Sequence, residues 1–164
     1  FRPFAPSVLE EFSSNYFDIR CPSPYMLLVA PVREEFRISL THQQSLIMKD
    51  PDLLKRVRIK RSSFPAITHV DYSARVQSVS HDRNDRYYRL IKSFEQKTGC
   101  GMIVNTSFNV RGEPIVCTPE DAYRCFMATE MDILVMGNHI LYKTEQPSQN
   151  RVAKESHVST FDLD

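Results

Sequence analysis

Hydrophobic period changes repeatedly along this chain, and that succession confines it to folds that pack helices on a β-sheet. "ITHVDYSARVQSV", residues 67 to 79, alternates with period two and is rich in β-branched side chains, so a long strand is expected there. Directly afterwards Tyr87, Leu90, Ile91 and Phe94 recur at helical spacing within residues 84 to 98, and Gly99 stands where a helix ends. Met102, Ile103 and Val104 return to a strand-like run. Thr118, Pro119, Glu120 and Asp121 then set an N-cap, an N1 proline and early acids in order, with Ala122, Cys125, Phe126 and Thr129 on one face. "DILVMGNHILYK" reads as two strands about a tight Gly137-Asn138 turn. Upstream, "PYMLLVAPV" (24 to 32) reads as a buried strand closed by Pro31, and "FRPFAPSVLEEF" as extended chain until Ser7 or Ser13 opens a short helix. The order predicts an α/β fold with a mixed sheet.

Composition sets the scale. With 164 residues, 41% hydrophobic and 25% charged, the chain suits one domain over 1–145, followed by a polar, aperiodic tail over 146–164 that is expected to be disordered. A formal charge of +1 provides no global field for nucleic acid or an anionic membrane. No apolar run approaches the ~20 residues of a spanning helix and the amino terminus lacks a signal-peptide pattern, so a cytoplasmic protein without membrane contact is expected. Cys21, Cys100, Cys117 and Cys125 have neither CxxC nor zinc-finger spacing, which predicts reduced, mostly core thiols and no metal site.

Chemistry is expected at strand ends. In "GMIVNTSFNVRGEPIVCTP" (101 to 119) an apolar run breaks into Asn105, Thr106, Ser107 and Asn109. Ser107 and Asn109 alternate and so point one way, Phe108 can anchor the opposite face, and Arg111 and Gly112 follow. Such a group can hold two oxygens of a phosphate, carbamate or carboxylate, and Arg111 can add charge. The plainer reading is a set of turn residues. A second group, His69, Asp71, Ser73 and Arg75, falls on one face of the expected strand, with an ordinary solvated face as the alternative. The basic run "KDPDLLKRVRIKR" (49 to 61) reads as a solvated short helix or loop.

"FRPFAPSVLEE", "SPYMLLVAPV", "FPAITHVDYSARVQSV" and "TGCGMIVNTSFNVRGEPIVCTPEDAYRCFMATEMDILVMG" occur in an order that resembles the C-terminal region of the carbamoyltransferase family, which includes nodulation-factor and antibiotic O-carbamoyltransferases. The resemblance covers residues 1 to about 143. It implies a YrdC-like domain, a twisted open mixed sheet with flanking helices, in which ATP, with Mg²⁺, and carbamoyl phosphate give carbamoyl-adenylate. A preceding actin-like domain of the same protein, absent here, would pass the carbamoyl group to a hydroxyl, so the isolated chain is expected to be inactive.

By the same resemblance, Ser107 and Asn109 match a Ser-x-Asn pair around the nucleotide, while a Lys-x-Arg pair is expected ahead of residue 1. Arg75 joins Ser107 and Asn109 as a catalytic candidate. Arg2, His69, Asp71, Asn105, Thr106 and Arg111 are candidates for binding nucleotide or carbamoyl phosphate. Tyr72 stands where the family more commonly has glycine, which is expected to narrow the pocket. Two other classes are an RNA-binding module and a noncatalytic module that closes over a partner domain. Lys55, Arg56, Arg58, Lys60 and Arg61 would serve the first, but no aromatic interleaves them. A homodimer is a further candidate assembly.

Overall fold

The proline-rich opening becomes the middle of a sheet. In a computed structural model that describes residues 3–147, β1 (Ala5–Leu9) is buried along its whole length. Ser7 therefore lies inside a strand, and the short helix α1 (Ser13–Tyr16) starts at Ser13 instead. Next come β2 (Leu28–Pro31), the short helices α2 (His42–Ile47) and α3 (Leu53–Val57), β3 (Ser73–Val79), α4 (Asp85–Thr98) and β4 (Met102–Asn105). These strands form a mixed sheet in the order β2-β3-β1-β4, with β1 and β3 parallel and the other pairs antiparallel. Arg2 and residues 148–164 of the expected tail lie outside the described residues.

Side-chain alternation divides the sheet's two faces. Val8, Ala30, Ala74, Val76 and Met102 point to one, where Phe17, Val32 and Ile67 complete a core and Tyr16, Phe36 and Phe64 cluster, Tyr16 meeting Phe64 edge to face and Phe36 tilted against both. Leu9 and Val79 point to the other and meet Ile91 of α4, with Phe12, Tyr87, Tyr88 and Ile103 around them. Caps hold α4 in place: Asn84 Oδ1 accepts from Tyr87 N at its start, and Gly99, expected to end the helix, takes φ 75°. Leu90 and Phe94, expected on the packed face, remain exposed, and Ile91 alone is fully buried there.

Two strands differ from expectation. Within residues 24–32 only Leu28–Pro31 is strand, and its Val29 is 57% exposed, because among the described strands β2 pairs only with β3 and its outer edge meets the chain only where Asp18 N donates to Pro31 O. The long strand expected over 67–79 shrinks to Ser73–Val79, because residues 69 to 73 close a tight turn first.

The chain divides into two compact units, Phe1–Thr106 and Ser107–Asp164. In the second, α5 (Pro119–Met127) packs Ala122, Phe126 and Met127 against Leu134, with Phe108, Val116 and Leu141 around them. β5 (Ile133–Met136) and β6 (His139–Tyr142) form the expected hairpin, with Gly137 at φ 60° in its turn. Thr118 caps α5 reciprocally: its hydroxyl accepts from Asp121 N, and Asp121 accepts from Thr118 N. Thr118→Ala is expected to lower stability by about 1 kcal/mol, read from the urea midpoint, and an unchanged midpoint would show that the cap contributes nothing. No helix among the described residues is long and apolar enough to cross a membrane.

Candidate functional site

The turn that shortens β3 is built from the residues whose alternation imitated a strand. His69 N donates to Ser73 O (2.7 Å), Tyr72 N donates to His69 O (3.1 Å), and Tyr72 takes φ 65°. That left-handed conformation suits glycine and strains a bulky residue, which gives a physical reason for glycine at this position. The Tyr72 ring lies 5.5 Å beneath the Arg37 guanidinium and lines a cleft with Glu34 and Ile38, rather than narrowing the cavity beside Arg75.

Polar side chains knit the turn together. Asp71 Oδ1 accepts from Ser73 N (3.0 Å) and Ser73 Oγ (2.6 Å), while His69 Nδ1 lies 2.9 Å from the same Oγ. The Ser73 hydroxyl foremost, against the opposing effect of burial, holds the Asp71 carboxyl below its usual value. Asp71 and Arg75, which share a face of the expected strand, form no ion pair with each other. Among the described residues Arg75 pairs with no carboxylate.

On β3, Arg75 and Gln77 continue the face that α4 covers at Val79. Gln77 Oε1 accepts from Ser7 Oγ (2.6 Å) and Asn105 Nδ2 (2.7 Å), and Asn105 Nδ2 also donates to Ser7 Oγ (3.0 Å). Asn105 thus ties three strands together, and both its amide hydrogens are engaged. Thr106 follows it, exposed.

Arg61 is the residue the sequence reading missed. It belongs to the basic run expected to be a solvated face, yet it is only 4% exposed. Its Nε donates to His69 O (3.1 Å), Nη1 to Arg56 O (2.6 Å) and Ile59 O (2.8 Å), and Nη2 to Thr68 O (3.2 Å). A guanidinium has five N–H donors, and four are spent on carbonyls here. No carboxylate among the described residues pairs with it. Burial lowers its pKa from the ordinary arginine value and nearby Tyr72 opposes the shift, while an arginine stays charged at neutral pH. Two other cations of the run are tied locally: Lys55 pairs with Asp50 at 2.7 Å and Arg56 Nε donates to Asp50 O.

Arg61, Thr68, His69, Val70 and Arg75, with Pro3, Val57 and Pro65, line a cavity of about 460 Å³. Two guanidinium groups and an imidazole therefore share one cavity wall without a carboxylate among its lining residues. Such a wall favours an oxyanion, because the buried charge of Arg61 is only partly solvated by carbonyl dipoles.

The second unit holds the other expected group. Asn109 Nδ2 donates to Val110 O (3.2 Å) and Glu113 O (2.8 Å), and Glu113 Oε2 accepts from Val110 N (2.9 Å). These bonds close the turn that carries Arg111, with Gly112 at φ 89°. Asn109 therefore holds a turn through its amide nitrogen. Ser107 and Arg111 are exposed. The Cys125 thiol is pushed up to about 12, chiefly by burial and then by the Glu113 carboxylate, which makes it inert as expected of a core cysteine. Cys21 and Cys117, in contrast, are exposed. No group of three His, Cys, Asp or Glu among the described residues could hold a metal ion.

Residues 1–143 match the family described as "Carbamoyltransferase C-terminus". The chain belongs to the carbamoyltransferase C-terminal family. An uncharacterized protein of Synechocystis sp. is 57% identical over 164 residues, all of this chain and 26% of its own length. Nodulation protein NolNO of Sinorhizobium fredii is 38% identical over 146 residues, 87% of this chain and 18% of that protein. A 3'-hydroxymethylcephem-O-carbamoyltransferase of Amycolatopsis lactamdurans is 42% identical over 91 residues, 55% of this chain and 18% of the enzyme. This carbamoyltransferase C-terminal chain thus spans about a quarter or less of the length of these relatives.

Proposed function

We propose that this chain is the carbamoyl-activating part of an ATP-dependent O-carbamoyltransferase. Carbamoyl phosphate, ATP and water give carbamoyl-adenylate, pyrophosphate and phosphate here. An amino-terminal, actin-like part of the same protein then passes the carbamoyl group to an acceptor hydroxyl. The observation that carries this reading is the cavity wall in which Arg61 and Arg75 stand beside His69, the two guanidinium groups offering fixed positive charge to a small phosphorylated ligand. Kinship to an enzyme named for O-carbamoyl transfer supports the carbamoyl part of the reading. Arg75 has the exposed fork suited to two phosphate or carbamate oxygens. Mg²⁺ would be held largely through the ligand's own phosphates, as is usual for this ion.

The test is carbamoyl-phosphate-dependent exchange of labelled pyrophosphate into ATP, in the chain joined to the amino-terminal portion of a relative. Exchange is expected only when carbamoyl phosphate is present. A folded protein that bound both ligands but gave no exchange would exclude carbamoyl-adenylate formation.

A further inference from the structure

We propose that His69 is the proton acceptor for the water consumed in this reaction, and that Ser73 and Asp71 hold its imidazole in the form that can accept. The proposal rests on the carbamoyl-adenylate reading above. Forming carbamoyl-adenylate from carbamoyl phosphate and ATP releases both phosphate and pyrophosphate, so the balance requires one water. That water attacks the phosphorus of carbamoyl phosphate and forms the new P–O bond. The bond from phosphorus to the carbamoyl oxygen breaks, carbamate leaves with the electron pair, and the water's proton goes to His69 Nε2. The freed carbamate oxygen is then the nucleophile toward the α-phosphorus of ATP, with pyrophosphate leaving.

Counting protons along the turn assigns the imidazole. Asp71 is an acceptor on both of its bonds to Ser73, and its carboxyl is held below its usual value. Ser73 Oγ has one hydrogen, and at 2.6 Å from Asp71 Oδ1 that hydrogen is committed. Toward His69 Nδ1, 2.9 Å away, the hydroxyl can then only accept. Nδ1 carries the hydrogen, so the neutral ring keeps its lone pair on Nε2.

The residue is also held in place at both ends of its backbone. His69 N donates to Ser73 O, and His69 O accepts from Tyr72 N and from Arg61 Nε. Arg61 is therefore a positioning residue for His69, and the ring belongs to the wall of the same cavity as the two guanidinium groups. The charged and titratable groups around it are Arg61 and Arg75 in that wall, Asp71 through Ser73, and Tyr72 in the turn with Arg37 stacked on it. Before accepting a proton, the ring must be neutral.

Two measurements decide the proposal. The first is the ¹⁵N spectrum of the imidazole in this chain, with His69 assigned by the loss of its signals in His69→Gln. The neutral ring is expected as the Nδ1–H tautomer, with a shift toward Nε2–H in Ser73→Ala. An Nε2–H tautomer in the unaltered protein would overturn the proposal.

The second is phosphate release from carbamoyl phosphate against pH, alongside pyrophosphate exchange, in the chain joined to a relative's amino-terminal portion. His69→Gln is expected to lower kcat about a hundredfold, with little change in KM, and to abolish the acidic limb of the profile. Ser73→Ala should lower kcat less while keeping that limb. Exchange at the unaltered rate in His69→Gln would leave the carbamoyl-adenylate reading standing and overturn the role of His69. Absence of both phosphate release and exchange in the unaltered protein would instead remove the reading itself, and the proposal with it.

Discussion

Arg61→Met is expected to destabilise the protein on the order of 3 kcal/mol, more than any other single change in the basic run. The substitution keeps much of the apolar stem but takes the guanidinium donors from the carbonyls of Arg56, Ile59, Thr68 and His69; those of Arg56 and His69 keep Ile59 N and Tyr72 N as donors, while those of Ile59 and Thr68 are left orphaned. Each orphaned buried acceptor costs about 1–3 kcal/mol, and water entering the adjoining cavity recovers part of that sum. The bonds also join two stretches of chain, since Arg56 and Ile59 lie before Arg61 while Thr68 and His69 lie in the approach to β3. Backbone pairing of Arg37 with Ser62, and Ile38 N donating to Arg61 O, close the base of the same excursion. Arg61→Lys should recover only part of the loss, because an ammonium has three donors and no planar fork. Urea unfolding gives the comparison. An Arg61→Met protein as stable as the unaltered one would mean that the guanidinium staples nothing.

Arg75→Lys is expected to weaken carbamoyl phosphate binding by roughly 10- to 100-fold, the equivalent of losing a charge-assisted hydrogen bond worth about 1.5–3 kcal/mol. Stability should hardly change, because Arg75 is exposed and pairs with no carboxylate among the described residues. Lysine preserves the charge and removes the fork that grips two oxygens, so the variant separates bidentate recognition from simple attraction. On the proposed reading ATP affinity should fall less, since the fork of Arg75 is assigned to carbamoyl phosphate and not to the base or ribose. Calorimetric titration with each ligand, beside urea unfolding, reads all three quantities. Equal carbamoyl phosphate affinity in the lysine variant would remove Arg75 from the site.

These two arginines differ in how far local sequence could describe them. Arg75 was singled out because it stands in a row of polar side chains on an alternating segment. Arg61 stands among Arg58, Lys60 and other cations, and nothing in its neighbours marks it as buried. Its environment is made by carbonyls brought to it from Thr68 and His69, and by the cavity they share.

The sequence by itself determined what short-range physics determines. Thr118 with Asp121, Gly99 and Gly137 specify helix caps and a turn within a few residues of themselves, and each occurs as expected. The motifs that mark the carbamoyltransferase family were likewise readable from their order along the chain. Tertiary structure decided which strand lies at the centre, because burial of β1 depends on β3 and β4, which are distant in sequence. It decided that β2 stays exposed at an edge, and that period-two polarity over His69, Asp71 and Ser73 belongs to a turn held by side-chain bonds rather than to a strand. It also turned Asn105 and Asn109, read as ligand groups, into donors to the protein's own polar atoms. A pattern of residue types records which groups need partners, and only the folded chain settles whether those partners come from the protein or from a ligand.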